Sequence, residues 1–238
     1  MMDRFLTGAI LIAAAALLVL LWRHLSRASA ERIAQRAGYL DACRPLLERP
    51  RMGRGSSGFA RLAGQYDGIE ADIQTLPDTL TFRKLPALWV LVTLPGPLPV
   101  DATMNLMIRP TGVEPFSRFH TLTHQLDRPE GFPEDCAIRT DSRANVPPED
   151  LVRAHLSIFD DPRVKELVIS PKGVRIVFLA EEAQRSRYLI YRDAEMGTAP
   201  LAPELLRPKL DALIALRADI IAGARTDDAA APLQEMRA

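Results

Sequence analysis

The run Phe5 to Trp22, FLTGAILIAAAALLVLLW, holds eighteen residues without one ionisable side chain. As a helix, rising about 1.5 Å per residue, it reaches roughly 27 Å, close to the hydrocarbon thickness of a bilayer. A helix satisfies its own backbone groups in lipid, and Trp22 falls where an amphipathic ring favours the headgroup level. The sequence therefore predicts an anchor over residues 1–22, with Phe5 and Trp22 in membrane contact. A cleaved signal peptide is the competing reading, since Ala28-Ser29-Ala30 has the small-x-small form of a cleavage site. The apolar run is longer than a signal core of about seven to fifteen residues, and Arg23, His24 and Arg27 intervene, which favours a retained signal anchor.

The flanking charge gives an orientation. Asp3 and Arg4 precede the helix, whereas Arg23, Arg27, Arg32 and Arg36 follow it with Glu31 alone opposing them. Basic residues stay on the cytoplasmic side, so the expected placement is single-pass in the plasma membrane with the C-terminal domain in the cytoplasm. Residues 23–55 form a basic juxtamembrane helix and linker, with eight Arg against Glu31, Asp41 and Glu48. Arg23, Arg27, Arg32 and Arg36 are expected to meet anionic lipid, at about 1 kcal/mol per residue near the surface. Nucleic acid is disfavoured as a partner: the collar carries only Tyr39 as an aromatic, and Ser56 to Ala224 holds 19 basic against 23 acidic residues. Cys43 and Cys136 are far apart and read as two small buried thiols rather than a disulfide framework.

About 215 residues follow the anchor, enough for one domain. Ser26 to Arg44 reads as a helix ending before Pro45, and Arg49 to Gly58 as a Gly/Ser/Pro linker. The soluble domain is expected over residues 56–224, with a disordered tail over 225–238. Around Asp67-Gly68, Ile69, Ala71, Ile73 and Thr75 alternate with polar residues, which predicts a hairpin pairing Tyr66 with Ile69 and Gln65 with Glu70. Ala87 to Leu94 is apolar throughout and, at eight residues, reads as a buried central strand. Asn105–Arg109, Cys136–Thr140 and Arg187–Arg192 are further expected strands, and Glu166–Ser170 with Val174–Ala180 a second hairpin. Helices are expected over Glu114–Leu126, Glu149–Phe159, and a last segment carrying Leu206, Leu210, Leu213, Ile214, Ile220 and Ile221 with Pro208 limiting its start. The result is an α+β class: one domain with a mainly antiparallel sheet and helices packed on one face.

Gly53-Arg-Gly-Ser-Ser-Gly58 has phosphate-loop glycine spacing, but Phe59 and Ala60 stand where Lys and Ser/Thr are needed, so no cofactor is expected there. His120 and His124, four apart on the expected helix, could share a metal with Asp127, Cys136 or Asp135 completing the site. With neither a full ligand set nor a carboxylate to orient an imidazole, these residues are read as structural and no metal is assigned. The acidic pairs Glu134-Asp135, Asp160-Asp161 and Glu181-Glu182 read as solvated turns and faces, since adjacent side chains diverge.

The phrases TLTFRKLPALWVLVTLPGPLP, MNLMIRP and KELVISPKGVRIVFLAEEAQRSRYLIYR resemble a group of bacterial single-pass, membrane-anchored proteins with an α+β domain of unknown role. That resemblance implies an anchored domain and transfers no site residue. The expected function is a membrane-tethered, non-catalytic binding or assembly module with a protein partner in the membrane or envelope. Two alternatives stand beside it: a metal-assisted hydrolase using His120 and His124, and a lipid or amphiphile binder using the apolar interior around Trp89 and Phe178.

Overall fold

The structure, a computed structural model of the 238-residue chain, describes residues 2–79, 85–183 and 196–235. Helix α1 spans Met2–Ala37 without a break. No Pro or Gly lies between Trp22 and Gly38, so the apolar run and the basic stretch after it form one rod instead of an anchor and a separate helix. This helix is long and apolar enough to cross a membrane, and the rest of the protein covers none of its apolar stretch. The exposures of Leu11, Leu17, Leu20 and Trp22 range from 63 to 69%.

Among the described residues nine strands form one sheet in which every neighbouring pair is antiparallel: β1 (Glu48–Arg54), β2 (Ala60–Tyr66), β3 (Ile69–Asp78), β4 (Ala87–Pro95), β5 (Met104–Ile108), β6 (His124–Leu126), β7 (Cys136–Thr140), β8 (Val164–Ser170) and β9 (Gly173–Glu182). Their order is β1-β2-β3-β4-β9-β8-β5-β7-β6, which puts β4 inside the sheet as its unbroken apolar run requires. The β2–β3 hairpin pairs Tyr66 with Ile69 and Gln65 with Glu70. Asp67 and Gly68 both take positive φ, 49° and 74°, the backbone of the tight turn that Asp-Gly favours.

Alternation divides the sheet into two faces. On the first, Leu62, Ile73, Val90, Val92, Leu106, Ile138, Leu167, Ile176 and Phe178 build the main core. Helix α3 (Pro203–Glu235) lies over it against β4 and β9 and buries Leu206, Leu210, Leu213, Leu216 and Ile220, which recur every three or four residues. Lys209 of this helix pairs with Asp161 and sits 5.3 Å from the Phe178 ring centroid. Tyr66 Oη donates to Asp211 at 2.5 Å. Pro203 opens the helix and Pro208 lies inside it, so Pro208 does not limit its start. The helix backbone runs on to Glu235, where a disordered tail was expected.

Three other expectations are corrected. Residues 39–54 are part of the fold and not a linker: Tyr39, Leu40, Cys43 and Leu47 are buried in the main core, and β1 adds an edge strand along β2. The Gly55–Gly58 stretch is the turn joining β1 to β2, closed by Gly55 N–H to the Phe59 carbonyl at 2.9 Å. Glu114–Leu126 is not a helix, having only a 3-10 turn at Phe119–Thr121 before β6. Thr, Phe and His are weak helix formers, and His124-Gln-Leu126 gains a ladder by pairing with Thr140, Arg139 and Ile138 of β7. The expected Glu149–Phe159 helix is a five-residue helix α2, Glu149–Arg153, followed by a 3-10 turn, Leu156–Asp160. The strand expected at Arg187–Arg192 lies outside the described residues.

Candidate functional site

The second face is built in rows, because partners that lie opposite in register share a face. One row reads Leu91, Val177, Glu166, Met107, Ala137 across β4, β9, β8, β5 and β7. Its apolar members, with Trp89, Phe116 and Phe119, form a second, smaller hydrophobic cluster. Glu166 is the only carboxylate in that row. The adjoining row reads Thr93, Arg175, Val168, Asn105, Arg139 and is mostly polar.

Over both rows lies the loop from Thr111 to Leu122. Phe116 packs on Trp89 with ring centroids 4.6 Å apart, and Phe119 is buried beside it. Arg139 holds the loop from below: its guanidinium lies 5.5 Å from the Phe119 centroid, and Nη1 donates to the carbonyls of His120 and Leu122 at 3.4 and 3.3 Å. Glu114 ties the other end, accepting from Thr111 Oγ1 at 2.8 Å and lying 3.6 Å from Lys165 Nζ.

Between loop and sheet a cleft of about 830 Å³ opens, with Asn105, Glu166, Arg175, Thr93, Phe116 and Ser117 among its lining. Glu166 is 1% exposed and Asn105 3%. Glu166 Oε1 accepts from Asn105 Nδ2 at 2.7 Å and from the Ser117 hydroxyl. Glu166 Oε2 and Asn105 Oδ1 are also buried, and each lacks a hydrogen-bond partner. Burial pushes the Glu166 carboxyl above its ordinary range, and nearby Glu114 adds to this; the bonds from Ser117 and Asn105 and the charge of Arg175 oppose it without cancelling it. Arg175 Nε donates to Thr93 Oγ1 at 3.1 Å, which aims the guanidinium along the polar row. Buried polar atoms are nearly always paired, so these two unpaired acceptors beneath the cleft, with the unpaired Trp89 Nε1 and Arg139 Nε of the same face, set this region apart.

The residues singled out from sequence lie elsewhere. His120 edges against Phe119 at 5.3 Å between centroids and bonds to the Gly112 carbonyl. His124 is on β6, on the same face as Leu126, which packs on the main core. The two histidines therefore do not share a helix face. Cys136 is buried on β7 opposite Ile108, with its thiol pushed up to about 11 by burial and by Asp135. Among the described residues no group of three His, Cys, Asp or Glu side chains is placed to hold a metal. Cys43 is likewise a free, buried thiol, donating to the Leu201 carbonyl at 3.3 Å. The acidic pairs make structural contacts: Asp135 with Arg109 at 3.2 Å, Asp161 with Lys209, and Glu181 with the Gly197 N–H at 2.9 Å. Trp22, Arg23, Arg27 and Arg32 are exposed on α1, whereas Arg36 turns to the domain and lies 5.2 Å from the Phe59 centroid.

Sequence reading missed the cleft because it placed Asn105 and Glu166 at strand starts, where a polar side chain meets water. The available signal was composition: in Met-Asn-Leu-Met-Ile and Val-Lys-Glu-Leu-Val-Ile each stands among side chains that need burial. No protein-family model, curated protein or solved structure matches the chain.

Proposed function

We propose that this protein is a membrane-tethered, non-catalytic binding module that takes a small polar ligand in the cleft over Glu166 and Asn105. The observation that carries this reading is the pair of buried acceptors without donors, Glu166 Oε2 and Asn105 Oδ1, on the cleft floor. Leaving such atoms bare costs about 1–3 kcal/mol each, which a donor-bearing ligand would recover on binding. Among the described residues lining the cleft there is no histidine or cysteine, so these residues do not pair a nucleophile with an imidazole base. The tether is α1, whose uncovered leucines require an apolar surrounding that a bilayer supplies. The Arg excess after Trp22 favours a cytoplasmic domain in the plasma membrane. Beyond Trp22, α1 continues for about 22 Å to Ala37.

The reading is tested by purifying the full chain from its own membrane in mild detergent and identifying by mass spectrometry what denaturation releases. A small molecule with N–H or O–H donors, near one per chain, should be released from the natural protein. Asn105→Leu with Glu166→Leu should remove it while the protein still melts cooperatively. Equal release from the double variant, or none from the natural protein, refutes the cleft as the binding site.

A further inference from the structure

Resting on that cleft reading, we infer that the ligand is a small free zwitterion, its ammonium on Glu166 and Asn105 and its anionic group on Arg175. The two floor acceptors define one end. Both are oxygens, both are buried, and Asn105 Nδ2 and the Ser117 hydroxyl already serve the other Glu166 oxygen. A primary ammonium, with three N–H donors on one atom, suits such acceptors. A positive charge also offsets the burial that raises the Glu166 carboxyl above its ordinary range.

The second end is Arg175. It shares the second face with Glu166 and stands two residues from Val177, the register partner of Glu166. That diagonal spans roughly 7–8 Å between backbones, and both side chains line the cleft. With Nε committed to Thr93 Oγ1, the guanidinium is held in one orientation, and its fork suits a carboxylate or phosphate. Arg118 and Lys172 at the exposed rim add positive charge around this end. A neutral polyol would satisfy the acceptors but leave Arg175 unused, and an anion alone would face Glu166. The same ammonium-and-anion chemistry occurs in the ethanolamine headgroup of a lipid, and release of a phosphatidylethanolamine from the purified chain in place of a free small molecule would assign the cleft to that source instead.

The test uses the full chain in detergent with Trp22→Phe, so that Trp89, which packs on the cleft residue Phe116, reports occupancy by fluorescence. Four probes share one carbon skeleton: γ-aminobutyrate, butylamine, butyrate and 1,4-butanediol. The zwitterion should bind at least tenfold more tightly than any of the other three. Glu166→Gln should bring it down to the level of butyrate, and Arg175→Gln to that of butylamine, with both variants still melting cooperatively. The diol binding as well as the zwitterion, or an equal response of all four probes to Glu166→Gln, overturns the ligand class and leaves the cleft reading standing. No response to any probe, although a donor-bearing molecule co-purifies, overturns the class alone; no response and no co-purifying molecule overturns both.

Discussion

Removing residues before Ser56 should unfold the domain, although the sequence places the domain boundary there. Tyr39, Leu40, Cys43 and Leu47 are all between 0 and 6% exposed and belong to the main core. Fully burying an aliphatic or aromatic side chain is worth about 1.5–3 kcal/mol, so these four together contribute on the order of 5–10 kcal/mol, an upper figure because unfolded chains are partly compact. The loss does not stop at the deleted atoms. Phe59 loses the Tyr39 ring at 6.4 Å, the Leu201 N–H loses the Tyr39 carbonyl at 2.8 Å, and β2 loses the ladder with β1 and becomes a bare edge. A domain's whole stability is about 5–15 kcal/mol, so the deletion removes most of it. Two soluble versions ending at Ala224 decide the matter, one from Ala34 and one from Ser56, compared by gel filtration and urea unfolding. The longer should be soluble and unfold cooperatively, and the shorter should aggregate or show no transition. If the shorter unfolds within about 2 kcal/mol of the longer, residues 39–54 only decorate the core and the reasoning fails.

Gly173→Ala should cost at least about 3 kcal/mol in denaturant unfolding, because its φ of 132° is a glycine conformation and a Cβ there would lie 2.2 Å from the Leu94 carbonyl oxygen, in backbone that cannot give way without breaking the β4–β9 pairing. Gly68→Ala, at φ 74° with nothing within 4 Å, should cost only about 1–2 kcal/mol, and equal costs at the two sites would show that the close approach is immaterial. For orientation, a C-terminal alkaline phosphatase fusion should be inactive and a C-terminal fluorescent protein fusion bright; the opposite pattern would place the domain outside the cytoplasm.

How much of this was legible follows from which interactions are local. The β2–β3 hairpin was readable to the exact pair because Asp-Gly fixes the turn and alternation fixes the face, both within fourteen residues, Leu62 to Thr75. The face of α3 was readable for the same reason, since its leucines repeat at helical spacing. Phe116, Phe119, Leu122 and Leu126 repeat at that spacing too, and there the reading failed. Their burial is against the second face of a sheet assembled from distant strands, and what shapes the loop is Arg139 beneath it and the open edge of β7, neither visible from residues 114–126.

The cleft is hidden by the same cause in stronger form. Its floor is a register row in which Thr93, Arg175, Val168 and Asn105 are neighbours, although the chain visits them in the order 93, 105, 168, 175. The row exists because β8 and β9 insert between β4 and β5, a crossover that no hairpin signal announces. What local pattern could supply was narrower: a strand with one polar residue among apolar ones must satisfy that residue across a neighbour. Asn105 and Glu166 do so only in part, each spending one group on the other and leaving one oxygen bare. Two such strands brought side by side convert a pair of separate local irregularities into one cluster of unpaired acceptors beneath the cleft. In this chain, the place where local consistency breaks is therefore where a binding partner is to be sought.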